Sequence, residues 1–413
     1  MSRKRSICVV VVAGLSATTA LTASGGGSSG GTGSAGAAQS SGSSGKVTIG
    51  YINDLSGIYQ TIGYPAVNGV RVAVNLVNQA GGITIGGKKY QLQLKTCEAN
   101  SENAQAVACA QQLVRDDGLK IIMGGQGAEA PPVAAVTDPA GAIYINPSTA
   151  LAQQLGQFKL VFNPLDGIAL KIKLAVAAIK KTYPNVKTVA AVTADDPTGA
   201  ALPLFEQQLK QVGIRFVDKE KYDIKAVDIT PQLTRAKAAH PDLLFTGWTQ
   251  TEVAPVIKAN QTVNAAPNIY GWTGPGSCDL FKSQLGSAKF LSSELFGVDL
   301  AAPSTAAGKT YVAAYKKFVT SDPAAAKNPV NIPNMTYSLE YADAIPQLAK
   351  ALETAGTTTD VAKISQALLA TSIDGIQGAI KYGSDRAAQL GQEHCTVNVD
   401  GAGKLASFQI PAS

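Results

Sequence analysis

Between Val47 and Ile83 the apolar residues change their spacing once, and that change sets what the chain can build. Val47, Ile49 and Tyr51 alternate with polar or small residues, the period of a half-buried strand. Val67, Val70, Val74 and Val77 then recur three and four apart, so they share one helix face. Asn53 to Gly63 between them reads as a loop, Pro65 as a first-turn proline, and Gly81-Gly82 as the helix stop. A loop at the carboxyl end of a strand, leading into a helix, is where open α/β sheets bind ligands.

The same pattern recurs along the chain. Gln91 to Thr96 and Lys120 to Met123 read as strands, and Asn103 to Val114 and Ala130 to Thr137 as helices. Ile143 to Ile145 is a further strand. The loops Gly124 to Ala128 and Asn146-Pro147-Ser148-Thr149 thus arrive at one sheet edge. A second set follows: strand Thr188 to Val192, a helix face of Leu202, Phe205, Leu209 and Val212, and strands Leu243 to Phe245 and Asn268 to Gly271. Its loops are Thr193 to Gly199, Thr246 to Thr249 and Trp272-Thr273-Gly274. Tyr337 to Leu352 reads as one long helix, and Val397 to Val399 and Leu405 to Ile410 as closing strands. With 413 residues, 45% hydrophobic and only 15% charged, the chain suits two α/β lobes with buried parallel strands. Gly82, Gly87 and Lys88 fall at phosphate-loop spacing. Lys89 stands where the magnesium-holding hydroxyl belongs, and the run follows a helix, so it reads as a hairpin turn.

Ser2 to Arg5 is basic and Ile7 to Ala23 is uncharged, the layout of an export signal over residues 1–23. Leu21-Thr22-Ala23-Ser24 resembles a bacterial lipobox with serine in place of the cysteine that carries the lipid. Residues 24–45 are almost all Gly, Ser, Ala and Thr, a flexible tether. The protein is expected outside the cytoplasm, as a monomer. Cys97, Cys109, Cys278 and Cys395 would be exported, and four cysteines allow three pairings. Cys97–Cys109 and Cys278–Cys395 are favoured, because Cys97 ends a strand and Cys109 lies on the next helix. A net charge of +6 with no basic–aromatic run gives no nucleic-acid surface, and no metal or cofactor motif is present.

The run Asn53-Asp54-Leu55-Ser56-Gly57-Ile58-Tyr59 resembles the type I periplasmic solute-binding proteins of the branched-chain amino acid transport kind. So do Asn68-Gly69, Asn78 to Ile83, Asn146 to Thr149, Tyr341-Ala342-Asp343-Ala344 and Asp374-Gly375 through Gly378. The resemblance implies two doubly wound parallel-sheet lobes joined by a three-strand hinge. It places residues 46–164 plus 300–373 in one lobe and 165–299 plus 374–413 in the other. It implies a small-molecule ligand in the cleft, an ATP-driven membrane permease as partner, and no catalysis. Position by position, Ala128 stands where the family has a carboxylate-binding serine, leaving only the backbone N–H. Ser148 and Thr149 match the next hydroxyl-bearing loop, Trp248 matches an aromatic wall, and Thr198 replaces another aromatic. Thr273 stands where the acid facing the ligand's ammonium is expected. A buried ammonium without an anion is strongly unfavourable, which disfavours a zwitterionic amino acid. Tyr59, Trp248 and Trp272 can grip a flat body, and Gln126, Ser148, Thr149 and Thr273 can meet a carboxylate or neutral polar groups. Glu129, Asp195 and Asp196 are candidates for restoring a negative charge. Other uses remain open: a lobe core for either tryptophan, helix caps for Ser148 and Thr149, solvent for Gln126.

Two other functions are open to a chain of this kind. The fold also serves sensory modules. A hydrolase is disfavoured: Gly-x-Ser-x-Gly occurs only around Ser28 and Ser29 in the tether, and neither His240 nor His394 has an evident nucleophile.

Overall fold

A computed structural model of the chain describes residues 45–148, 154–195, 201–223, 226–247, 250–272, 294–298, 305–399 and 405–412. The expected signal and nearly all of the tether lie outside them. The first strand, β1 (Gly45–Asn53), buries Val47, Ile49 and Tyr51 on one face and Ile52 on the other. Burial on both faces is what a parallel strand under helices requires.

Helix α1 (Gln60–Gln79) begins earlier than the loop reading allowed, so Pro65 lies inside it rather than in its first turn. An internal proline leaves the carbonyl four residues back without its N–H partner. That carbonyl, on Thr61, instead accepts from the Asn334 side-chain amide at 2.9 Å. Strands β2 (Ile83–Ile85) and β3 (Lys88–Glu98) form the antiparallel hairpin expected around Gly86-Gly87. β3 pairs parallel with β1, and α2 (Asn103–Gln111) packs behind it. Cys109 on α2 and Cys97 on β3 are joined in a disulfide with Cα atoms 5.6 Å apart. Cys395 is disulfide-bonded as well, and Cys278, its expected partner, lies outside the described residues.

Strand β4 (Ile121–Gly124) pairs with β1 on the side opposite β3. Helix α3 (Ala130–Thr137), β5 (Ile143–Ile145) and β6 (Val161–Asp166) continue that sheet outward. The chain then leaves through α4 (Ile168–Thr182) to a second sheet. There β7 (Thr188–Ala194) is flanked by β8 (Arg215–Tyr222) and β9 (Leu243–Gly247), with α5 (Leu202–Gln211) and α6 (Thr230–Ala238) between them. Helix α7 (Gln250–Val263), β10 (Asn268–Trp272) and β11 (Glu294–Val298) extend it. Each sheet changes winding direction once, between β1 and β4 and between β7 and β9. In open α/β sheets the loops leaving the strands at such a switch are where a ligand crevice forms. Gly124 and Gly247 end β4 and β9 with positive φ; a Cβ on either would lie within 2.3 Å of a neighbouring strand's carbonyl oxygen.

Beyond residues 299–304, which lie outside the described set, α8 (Ala306–Ser321), α9 (Thr336–Ala342), α10 (Ala344–Ala355) and α11 (Val361–Ala370) pack on the first sheet. The long helix expected from Tyr337 to Leu352 is two helices. Pro346 cannot donate to the Ala342 carbonyl, and the chain breaks at Asp343. The Asp343 carboxylate accepts from Ile376 N at 2.5 Å and Gln377 N at 3.1 Å. Those residues form the turn between β12 (Ser372–Asp374) and β13 (Ala379–Lys381). Ile376, Ile380, Tyr382 and Ala388 belong to the first lobe's core, and β14 (Ala387–Ala388) pairs with β6. The final crossing is therefore not at residue 374 as expected but at Gln389 to Gln392, before β15 (Gln392–Val399) and β16 (Leu405–Ile410) close the second sheet antiparallel. Asp166, at the end of β6, accepts from Leu390 N at 2.5 Å and Gly391 N at 3.1 Å, tying the first crossing to the last.

The disulfide closes a loop with a sequence separation of 12, and such a loop is worth about 3 kcal/mol in the chain-entropy model. Replacing Cys97 and Cys109 together by serine is expected to lower unfolding free energy by about that amount. Urea titration of oxidised wild type against the double variant measures it.

Candidate functional site

The loops after β1 and β4 carry most of the described candidate residues. The β1 loop is held from behind by Ser101. Ser101 N donates to Asp54 Oδ1 at 2.8 Å, and Ser101 Oγ accepts from Tyr59 N at 2.9 Å while donating to the Ser56 carbonyl at 2.7 Å. Asn100 and Ser101 both take positive φ to make these bonds, a conformation that costs side-chain-bearing residues of order 1–3 kcal/mol each. The loop thus presents Tyr59 in a fixed place.

On the β4 side, Gln126 and Glu129 form a reciprocal cap at the start of the helical segment, with Gln126 N donating to Glu129 Oε2 at 2.8 Å. Beneath them lies a pair of buried acids. Asp54 is 1% exposed and Glu129 is 0% exposed. Asp54 Oδ2 and Glu129 Oε1 receive no N–H or hydroxyl donor, yet the two side chains are hydrogen-bonded to each other. Two carboxyls can do this only if at least one of them keeps its proton. Burial, and then the Asp54 charge, pushes Glu129 up to about 8; burial also raises Asp54. Glu129 therefore stays protonated near neutrality.

The third loop is stitched to the second. Asn146 Nδ2 donates to the carbonyls of Gly124 at 2.7 Å and Gly125 at 2.6 Å, and Tyr144 OH also donates to Gly124 O at 2.7 Å. Asn146 Oδ1 accepts from Ser148 N at 2.8 Å, and Ser148 Oγ donates to the Gly127 carbonyl at 2.8 Å. Asp54, Tyr144 and Asn146 received no role from the sequence. Asp54 and Asn146 sat in quoted motifs, but only the fold shows what they hold.

The structure brings Tyr59, Gln126, Ala128 and Ser148 to one edge. Tyr59 is half-buried and Ala128 exposed, and Ala128 N donates to the Tyr59 hydroxyl at 3.2 Å. Gln126 is buried rather than solvent-facing. Trp272 is not a surface for a ligand: it is 2% exposed and packs in the core with Phe245 and Tyr270. The reason is topological, since β10 lies between β9 and β11 and has helices on its faces. Thr149, Thr198, Trp248 and Thr273 lie outside the described residues, as does Asp196. Of the acids considered as counter-charges, Glu129 is buried and Asp195 is bound to Lys221 at 2.7 Å on the surface.

The sequence model of the periplasmic binding protein family matches residues 46–404. The chain is 27% identical over 345 residues to the Leu/Ile/Val-binding protein BraC3 of Rhizobium johnstonii, covering 82% of this chain and 87% of that protein. Among solved structures, it is similar to the branched-chain amino acid substrate-binding protein LivJ of Streptococcus pneumoniae in complex with isoleucine. The TM-score is 0.67 at 20% identity, with 89% of this chain and 99% of that chain covered. A Rhodopseudomonas palustris solute-binding protein in complex with p-hydroxybenzoic acid gives a TM-score of 0.70 at 16% identity, covering 89% and 98%.

The acid pair has a consequence for stability. Glu129 titrates higher in the folded chain than its ordinary 4.5, so the folded state holds the proton more tightly than the unfolded state does. That contribution is complete below the ordinary value and is lost as pH rises toward about 8. Thermal unfolding between pH 5 and about 8 should show wild type losing stability with rising pH, and Glu129→Gln, which keeps a donor to Asp54, showing a flatter profile.

Proposed function

The chain belongs to the periplasmic binding protein family, an extracytoplasmic, non-enzymatic family of substrate-binding proteins of ABC transporters, and from that premise we propose that it captures a small acid with a flat or apolar body for an importer permease. The ligand lies between the loop edges of the two sheets, and the lobes close on it about the three crossings. Closure follows because a ligand touching both lobes stabilises the closed arrangement over the open one.

The observation that carries the ligand class is the charge of the β4 edge. Its exposed groups are the Ala128 N–H and the Tyr59 phenol, while Asp54 and Glu129 are buried beneath and share a proton. Hydrogen-bond donors with no free carboxylate suit an oxygen-rich, anionic group rather than an ammonium. Thr273, uncharged where a counter-ion for ammonium is expected, supports the same reading. The p-hydroxybenzoic acid bound by one structural neighbour fits it, and the isoleucine bound by another shows what a different cleft of this fold accepts. Trp248 is the proposed aromatic wall on the second lobe.

Calorimetry and small-angle scattering with leucine, isoleucine, benzoate and 4-hydroxybenzoate test this. Micromolar binding, about −8 kcal/mol, with compaction is expected from the aromatic acids. Binding restricted to the amino acids would overturn the ligand class, and no compaction with any solute would overturn the closure. Trp248→Ala is expected to weaken binding at least tenfold with the unfolding transition unchanged.

A further inference from the structure

The hydrogen bond between Ala128 N and Tyr59 OH has a direction that matters. The backbone N–H donates, so the phenol oxygen is the acceptor. The phenol still has its own proton, and among the described residues no group accepts it. The bond lies at the exposed rim of the crevice. The ring is also seated closely. A Cβ on Gly127 would fall 2.7 Å from the phenol oxygen and 2.9 Å from Cζ, so only glycine lets the ring lie there. Ser101 fixes the backbone of Tyr59 from the other side. A held ring, an oxygen already filled from behind and an unused proton make a pre-organised donor.

We propose that the Tyr59 hydroxyl is the group that recognises the ligand's acidic oxygen, acting as a relay between that oxygen and the Ala128 N–H. This deepens the acid-binding reading above and rests on it. Donation from Ala128 polarises the phenol and strengthens its outward hydrogen bond, as chains of hydrogen bonds do. The bond to an ionised oxygen is charge-assisted and stronger than one to a neutral acceptor. The ligand therefore sits one hydroxyl further from the β4 loop than direct contact with Ala128 would place it. Tyr59 is then a specificity-determining residue through its oxygen, whereas its ring face suffices for apolar grip alone.

The alternative is that the hydroxyl only clamps the β1 loop to the β4 loop. Comparing an acid with its neutral amide separates the two. Affinities of wild type and Tyr59→Phe are measured by calorimetry for 4-hydroxybenzoate and 4-hydroxybenzamide. Tyr59→Phe keeps the ring against Gly127 and removes only the oxygen. Loss of the donor is expected to weaken 4-hydroxybenzoate at least tenfold and the amide by less than threefold. Equal loss for both probes, no loss, or tighter binding in the variant would overturn the assignment. A wild type that binds isoleucine or the amide but not 4-hydroxybenzoate would overturn it too, while leaving the solute-receptor reading in place. A wild type that binds none of these and does not compact would remove both.

Discussion

One shared proton joins the loops that leave β1 and β4. At the switch in winding direction these loops diverge, which opens the crevice but leaves backbone with few neighbours. Asp54 reaches from one loop and Glu129 from the other, both nearly solvent-free. Two ionised carboxylates there would repel in a weakly polar setting, and the pair holds only because one keeps its proton. Around it, Ser101 N and Gln126 N each donate to one carboxyl oxygen, and Tyr144 and Asn146 donate to the Gly124 carbonyl. The rim is rigid because what lies beneath it is hydrogen-bonded in both directions.

Two further aspartates do for the crossings what this pair does for the crevice. Asp343 closes the turn between β12 and β13, and burial lifts it to about 6 despite two N–H partners. Asp166 takes two N–H groups from the last crossing. Its carboxylate ties the first crossing to the last at the point where the chain passes back to the second sheet.

Much of this was legible where period and composition act locally. Ala130–Thr137 and Ile143–Ile145 were read with their observed bounds, and the Cys97–Cys109 pairing followed from a strand end facing the next helix. What failed depended on distant partners. Pro65 sits inside α1 only because Asn334, 273 residues from Thr61, takes the orphaned carbonyl. β8, Arg215–Tyr222, gave no clean alternation because it is a charged edge strand, and such charges protect an edge from adding further strands. β14 has two residues and exists only against β6. At the site, Ala128 and Ser148 came from motif position, and Tyr59 and Gln126 from what their side chains can offer a ligand, but Trp272 could not be told from a wall residue. A tryptophan ending a central strand and one beginning a loop look alike until the strand order is known.

The protonation of Glu129 also bears on what the crevice can hold. With both acids ionised, two negative charges would lie behind the Gln126 loop and oppose an anionic guest. With one proton shared, the pair carries a single charge, and the N–H groups of Ser101 and Gln126 are directed at it. The rim is left to the Ala128 N–H and the Tyr59 phenol. A guest bearing an ammonium would favour the opposite arrangement, with ionised acids exposed at the rim. Here Asp54 and Glu129 are buried and met by N–H groups from within, and under the proposed function that arrangement favours an acid over an amine in the crevice.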